Sequence, residues 1–245
     1  MLATRWAKAE ALGAAISLRE PSVCAICGAW GRGRVCAACL ARFTQPVPRC
    51  ARCALPVAGG APVCGTCVAA PPAFDGALAA LDYAAPWDRL VTAFKFHDAL
   101  DLAAVFADAI VAAERSRDAP RPTLLLPVPL APRRLRERGY NQAWELARGI
   151  ARRRGIAAEG ALLLRIRETA HQLALPLADR AGNVRGAFAV EPRRRAELAD
   201  RHVAIVDDVM TTGVTAAEIA GVVKQSGAAM VEVWVLARTP RPGSA

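Results

Sequence analysis

From Phe74 onward the chain alternates short apolar runs with stretches of helical periodicity. Residues 74–83 read as a strand or hairpin, and residues 87–96 open an amphipathic helix. Residues 98–117 continue helically, with Leu102, Val105, Phe106, Ile110 and Val111 on one face. Residues 123–126 form a short buried strand that runs into Pro127-Val128-Pro129. A helix over 141–154 is stopped by Gly155. Strands are predicted at 162–166 and 202–206, a helix from 215 to about 226 with Gly227 at its end, and a strand at 230–236. Strands alternating with helices at this spacing predict an α/β fold with a mostly parallel sheet.

The first 73 residues behave differently. Leu2, Trp6, Leu12 and Ile16 give residues 1–20 the spacing of an amphipathic helix, while Lys8 and Glu10 interrupt any continuous apolar stretch. A secretory signal is therefore not expected. No apolar run approaches the roughly 20 residues of a membrane span, so a cytoplasmic protein without membrane insertion is expected. A linker-like stretch, Val68-Ala-Ala-Pro-Pro-Ala73, separates what precedes it from the alternating region.

All eight cysteines fall between Cys24 and Cys67, as four CxxC pairs. The spacing is Cys24-x2-Cys27-x8-Cys36-x2-Cys39, then Cys50-x2-Cys53-x10-Cys64-x2-Cys67. A CxxC turn puts two thiolates on one side of a metal ion, and two such turns complete a tetrahedral shell of sulfur that suits zinc. Sequential pairing gives two sites. An iron–sulfur cluster is the competing occupant, and disulfides are disfavoured without a secretory signal. A closed four-thiolate shell offers no open coordination position, so the metal is expected to be structural.

Hydrophobic residues make up 54% and charged residues 22%, enough for a packed core. The net charge of +10 suits a polyanionic partner. Only Lys8, Lys95 and Lys224 are lysines, however, and the bias towards arginine and alanine is also what a GC-rich genome produces. Charge by itself leaves both readings open.

The most informative stretch is Val203-Ala-Ile-Val-Asp207-Asp208-Val209-Met210-Thr211-Thr212-Gly213-Val214-Thr215. An apolar strand ends in two carboxylates, a loop of threonines and glycine follows, and a helix begins. Ligands of open α/β sheets bind beyond the carboxyl ends of the strands. Loop N–H groups at a helix N-terminus hold a phosphate, and threonine hydroxyls add donors. The carboxylates would repel that phosphate but accept hydrogen bonds from ribose hydroxyls. The pattern predicts a sugar phosphate with its 5-phosphate on residues 209–215 and its hydroxyls on Asp207 and Asp208. No Gly-Lys-Ser/Thr follows, so this is not a nucleotide-triphosphate P-loop.

That segment resembles the 5-phosphoribosyl-1-pyrophosphate (PRPP) motif of type I phosphoribosyltransferases. Further motifs occur in the order seen in the ComF family, also called GntX-like. They are Asp88-Arg-Leu-Val followed by Lys95-Phe96, Pro127-Val-Pro-Leu130, and Arg136-Glu-Arg-Gly-Tyr-Asn-Gln142. Arg167, Thr169 and Gln172, then Arg180, Asn183 and Gly186-Ala-Phe188, complete the series. The resemblance runs from about Pro21 to Arg238. It implies residues 21–70 as a double zinc ribbon, residues 71–238 as a phosphoribosyltransferase-like domain, and residues 239–245 as a flexible tail. It further implies a role in DNA uptake or the use of imported DNA, with other DNA-uptake proteins as partners.

Within that frame residues 125–130, with Pro127 and Val128, look like the pyrophosphate-side loop. Arg133, Arg134, Arg136 and Arg138, faced only by Glu137, read either as a solvated charged loop or as anion contacts together with Asn141 and Gln142. Residues 165–177 look like the loop that closes over pyrophosphate, with Arg167, Thr169 and Gln172 as polar anchors, and Lys95 is a further phosphate contact. Two functions are open. One is a nucleic-acid-handling protein holding a nucleotide or single-stranded DNA, led by the backbone because aromatic residues are few. The other is an active transferase moving phosphoribosyl from PRPP to a base, with magnesium on the pyrophosphate and Asp207 or Asp208 stabilising the positive charge.

Overall fold

The computed structural model describes residues 21–59, 61–167 and 184–240. The expected helix over residues 1–20, Thr169, Gln172 and most of the tail lie outside the described residues. The chain forms two compact units that divide between Gln45 and Pro46.

In the first unit, β1 (Pro21–Val23) and β2 (Trp30–Arg32) make an antiparallel hairpin, followed by the short helix α1 (Ala37–Phe43). So small a unit buries little beyond Cys24, Val35 and Cys39, and metal ligation is what such a segment needs to fold.

The second unit begins with the other cysteine quartet and the one-turn helix α2 (Gly65–Ala69). It continues through β3 (Gly76–Asp82), α3 (Trp87–Phe96), α4 (Leu102–Arg115), β4 (Leu124–Pro127), α5 (Pro132–Arg138) and α6 (Gln142–Arg154). Then come β5 (Ala157–Ala158), β6 (Leu163–Arg165), β7 (Phe188–Val190), β8 (His202–Met210), α7 (Val214–Gln225) and β9 (Met230–Arg238). Five strands form one sheet in the order β3-β9-β8-β4-β5, and every neighbouring pair is parallel. This is the α/β architecture expected from the alternation of strands and helices.

The central strands β8 and β9 are apolar on both faces, as a sheet covered by helices on each side requires. Val203, Ile205, Val231, Val233 and Val235 pack in one cluster with Ile219 and Val223 of α7. The alternate residues, such as Ala204, Val206 and Trp234, project to the other face, where α4 and α6 pack. Gly149 of α6 permits that packing: a Cβ there would lie 2.7 Å from the Ala107 Cβ of α4.

Three features differ from the sequence expectation. The second cysteine quartet belongs to the same compact unit as the sheet. Ala54 is fully buried in the core beside Phe74, and the Ala77 N–H donates to the Ala51 carbonyl at 3.0 Å. The strand around Leu163 lies outside the parallel sheet and pairs antiparallel with β7. The arginine run after residue 132 is helical rather than looped, started by Pro132 at the first helical position and stopped by left-handed Gly139.

Candidate functional site

The carboxyl end of β8, the turn 211–213 and the first turn of α7 surround a cavity of about 60 Å³, comparable with one phosphate group. All of residues 209–215 line it, together with Asp207 and Val128. Gly213 has φ +82°, a left-handed conformation that turns the chain from strand to helix, and a side chain there would be strained. Among the described residues the N–H groups of Thr211, Thr212 and Gly213 have no hydrogen-bond partner. Three successive open donors at a helix N-terminus make an anion-binding concavity.

The orientation of the turn is set from beneath by Arg238, the last residue of β9, which is 4% exposed. Its Nη1 donates to the Met210 carbonyl at 2.9 Å and to the Thr211 carbonyl, and its Nε donates to the Cys53 carbonyl at 3.0 Å. These bonds fix the conformation of the turn.

Strand alternation sends the two carboxylates to opposite sides. Asp207 lines the cavity, and its Oδ1 accepts from the Asp208 N–H at 2.9 Å. Asp208 is 3% exposed, and Lys95 Nζ lies 3.0 Å from its Oδ1. Asp208 Oδ2 is buried without a hydrogen-bond donor among the described residues. Burial, and then the neighbouring Asp208 charge, push Asp207 up to about 7. Burial alone would pull Lys95 down, but Asp208 and Asp207 hold its ammonium above the usual lysine range.

Lys95 stands at the end of α3, and other expected contacts gather beside it. Arg138 lies over the Phe96 ring at 5.1 Å and donates to Gln142 Oε1. Tyr140 Oη donates to the Phe94 carbonyl. Asn141 caps α6, accepting from the N–H groups of Ala143 at 3.0 Å and Trp144 at 3.4 Å, while its Nδ2 donates to the Val128 carbonyl at 3.0 Å. It thereby ties α6 to the loop after β4. Gln142 is buried, Pro127 ends β4, and Arg136 and Arg167 are exposed. Arg133 is engaged with Glu137 at 2.7 Å.

Each cysteine quartet brings four sulfur atoms within 4.8 Å of one another, and none of the eight is in a disulfide. Two pairs fit a metal shell closely: Cys27 and Cys36 are 3.8 Å apart, Cys53 and Cys64 3.7 Å. A tetrahedron with zinc–sulfur bonds of 2.3 Å has edges of about 3.8 Å. Backbone N–H groups of Cys36 and Cys64 approach Cys24 Sγ and Cys50 Sγ at 3.4 and 3.3 Å. Burial pushes both thiols up, but such donors outweigh it and bring Cys24 down to about 6 and Cys50 to about 7. Both clusters could hold a metal ion.

Arg238 and the Lys95–Asp208 pair had no direct sequence signature. The first left one trace, a cation closing the otherwise apolar strand Met-Val-Glu-Val-Trp-Val-Leu-Ala-Arg.

No protein-family model matches the chain. The DNA utilization protein YhgH of Salmonella typhi is 35% identical over 232 residues, spanning 91% of this chain and 99% of the relative. Competence protein F of Haemophilus influenzae is 32% identical over 208 residues, spanning 83% of this chain and 90% of the relative. Among solved structures, a purine phosphoribosyltransferase from Pyrococcus horikoshii aligns with 57% of this chain and 72% of its own, at 19% identity and a TM-score of 0.31. No helix of the described residues is long and apolar enough to cross a membrane. With that extent of identity along nearly its whole length, the chain belongs to the family of competence protein F and the DNA utilization protein YhgH.

Proposed function

We propose that this protein acts in DNA uptake or utilisation through a site for a ribose 5-phosphate group, presented by PRPP, a nucleotide or single-stranded DNA. The observation that carries the reading is the turn 211–213, whose three open N–H groups share a cavity wall with Asp207. A phosphate fits the donors, and ribose hydroxyls fit the acceptors. The names of the relatives point the same way, as does the net charge of +10. Zinc in each quartet serves as a structural cross-link. Thiolate ligands need a reducing compartment, which supports a cytoplasmic location, where other DNA-uptake proteins would be its partners.

Calorimetry with ribose 5-phosphate, PRPP and a short single-stranded oligonucleotide tests this. Wild-type protein should bind all three, and Thr212→Val with Gly213→Val should abolish ribose 5-phosphate binding. A wild type that ignores ribose 5-phosphate would overturn the reading.

One observation favours a second reading, an active phosphoribosyltransferase. Val128, on the expected pyrophosphate-side loop, lines the same cavity as Asp207. In such a reaction the C1–O bond to pyrophosphate breaks and a C1–N bond to a base forms. The acids would stabilise the positive charge on the ribosyl ring between the two events. Release of pyrophosphate from PRPP on adding bases would establish it.

A further inference from the structure

Helix α3 buries Trp87, Leu90, Val91 and Phe94. Its last residue, Phe96, lies off that stripe and is 58% exposed. A single exposed ring is ordinary; what sets Phe96 apart is the cation placed on it. The Arg138 guanidinium lies over the ring at 5.1 Å and also donates to Oε1 of the buried Gln142. Ring, guanidinium and amide make a fixed step, with part of the ring left open to solvent.

The ground beside the ring is cationic. Helix α5 carries four arginines against Glu137 alone, and none of its residues is buried. Glu137 is taken by Arg133. Arg134 lies on the same face of α5 as Arg138, one turn or about 5.4 Å along the axis, close to the spacing of successive phosphates in a single strand. Its charge acts on Arg138. The Tyr140 hydroxyl donates to the Phe94 carbonyl, and Asn141 Nδ2 donates to the carbonyl of Val128, a wall residue of the phosphate cavity. The step therefore stands at the carboxyl end of the sheet.

An open aromatic face beside guanidinium groups matches a flat, uncharged ring joined to a phosphodiester. Bases stack on such a face whatever their sequence, while arginines follow the backbone. The bases must be unpaired, since those of a duplex are already stacked on one another. An acidic peptide would satisfy the arginines and leave the ring bare. A bilayer surface would do the same, and burying the ring in lipid would carry the Arg138 guanidinium with it.

We propose that Phe96 and Arg138 form a stacking step for single-stranded DNA. One unpaired base lies on the open part of the Phe96 ring, and Arg134 holds an adjoining phosphate. This rests on the reading above that the protein takes single-stranded DNA, and it adds a base contact separate from the phosphate turn.

The test uses the full-length zinc-loaded protein and binding isotherms for a twelve-nucleotide thymidine strand, an abasic strand of the same length, and ribose 5-phosphate. Phe96→Ala should weaken the thymidine strand by about tenfold, the worth of one base on an aromatic ring, and leave the abasic strand unchanged. Phe96→Trp should hold the thymidine strand at least as tightly as wild type. Arg134→Ala should weaken both strands and lower the slope of log affinity against log salt by about 0.7, whereas Phe96→Ala should leave that slope as it is. Unchanged ribose 5-phosphate affinity in Phe96→Ala shows that the fold is intact. Equal affinity of wild type and Phe96→Ala for the thymidine strand would overturn the step, as would equal losses for the thymidine and abasic strands. Loss of binding to anionic lipid vesicles with strand binding untouched would make the patch a membrane contact and overturn it too. A wild type that binds ribose 5-phosphate and neither strand would overturn the single-strand reading together with the step. A wild type that ignores ribose 5-phosphate while Phe96→Ala still weakens the thymidine strand would overturn the phosphate site alone.

Discussion

Arg238 and Cys53 lie 185 residues apart in sequence and are joined by a 3.0 Å hydrogen bond from guanidinium Nε to the carbonyl oxygen. The same guanidinium holds the carbonyls of the phosphate turn. The second cysteine quartet and the 211–213 turn therefore share one buried side chain.

Metal content should be about two zinc per chain, since each tetrahedral site uses four thiolates. Cys53→Ser should lower the content to about one and weaken ribose 5-phosphate binding along with it. Cys27→Ser should cost the other metal and leave that affinity largely intact. Equal loss of affinity in both variants, read by calorimetry beside metal analysis, would show that the route through Arg238 does not matter.

Replacing Arg238 by Met removes the donor to the half-buried Cys53 and Thr211 carbonyls, while Met210 keeps the Thr239 N–H, and each orphaned group costs up to about 1–3 kcal/mol. Denaturant unfolding should record a loss of that order. Arg238→Lys, able to reach some of the same oxygens, should recover part of the stability while binding ribose 5-phosphate less tightly than wild type.

The Lys95–Asp208 pair gives a coupling prediction. Lys95→Met strands a buried carboxylate, and breaking a buried ion pair by removing one partner costs about 3–5 kcal/mol. Adding Asp208→Asn should restore much of this, so the double variant should be more stable than the sum of the singles. Strict additivity in urea titrations would mean that the two charges do not depend on each other.

Asp207 makes stability sensitive to pH. The unfolded chain releases this proton near 3.8, whereas the folded chain, with burial and then the Asp208 charge opposing ionisation and Lys95 and Arg138 favouring it, holds it to about 7. Between those values the folded state binds more protons, so this group lowers stability as pH rises from about 4 to above 7. Asp207→Asn should flatten that limb of the melting-temperature profile. An unchanged slope in the variant would assign the pH dependence elsewhere.

For DNA, Arg136 and Arg134 on α5 remain the arginines to test, because Arg133 is paired with Glu137 and Arg138 bonds Gln142. If each contacts a single-strand phosphate, its replacement by Ala should reduce the slope of log affinity against log salt by about 0.7. Arg152, exposed on α6, is the control. The same change in the control would mean diffuse attraction without a defined path.

What could be read from the sequence was local. The run Asp207–Thr215 encodes strand, turn and helix within a dozen residues, and the cysteine spacings encode their own geometry, so both were visible without a structure. Lys95 was expected as a phosphate contact, but its pairing with Asp208 joins residues far apart in the chain and no periodicity reports it. Leu163–Arg165 has the composition of any short strand, and composition does not say which sheet a strand joins. The arginines after Pro132 looked like a loop because their charge masks good helix-forming character. The placement of the second quartet with the sheet depends on Ala54, too small a residue to announce a core position.

The order of the sheet has a consequence for how the protein is made. Strand β3 pairs with β9 alone in the sheet, and β9 also completes β8. Synthesis must therefore reach the last strand before β3 gains its neighbour and before Arg238 meets the phosphate turn. Until then the nascent chain exposes two unpaired edges of highly apolar strand, a state prone to aggregation. A chain ending a few residues short of 238 would hold both cysteine quartets but lack the guanidinium that bonds the carbonyls of the 211–213 turn.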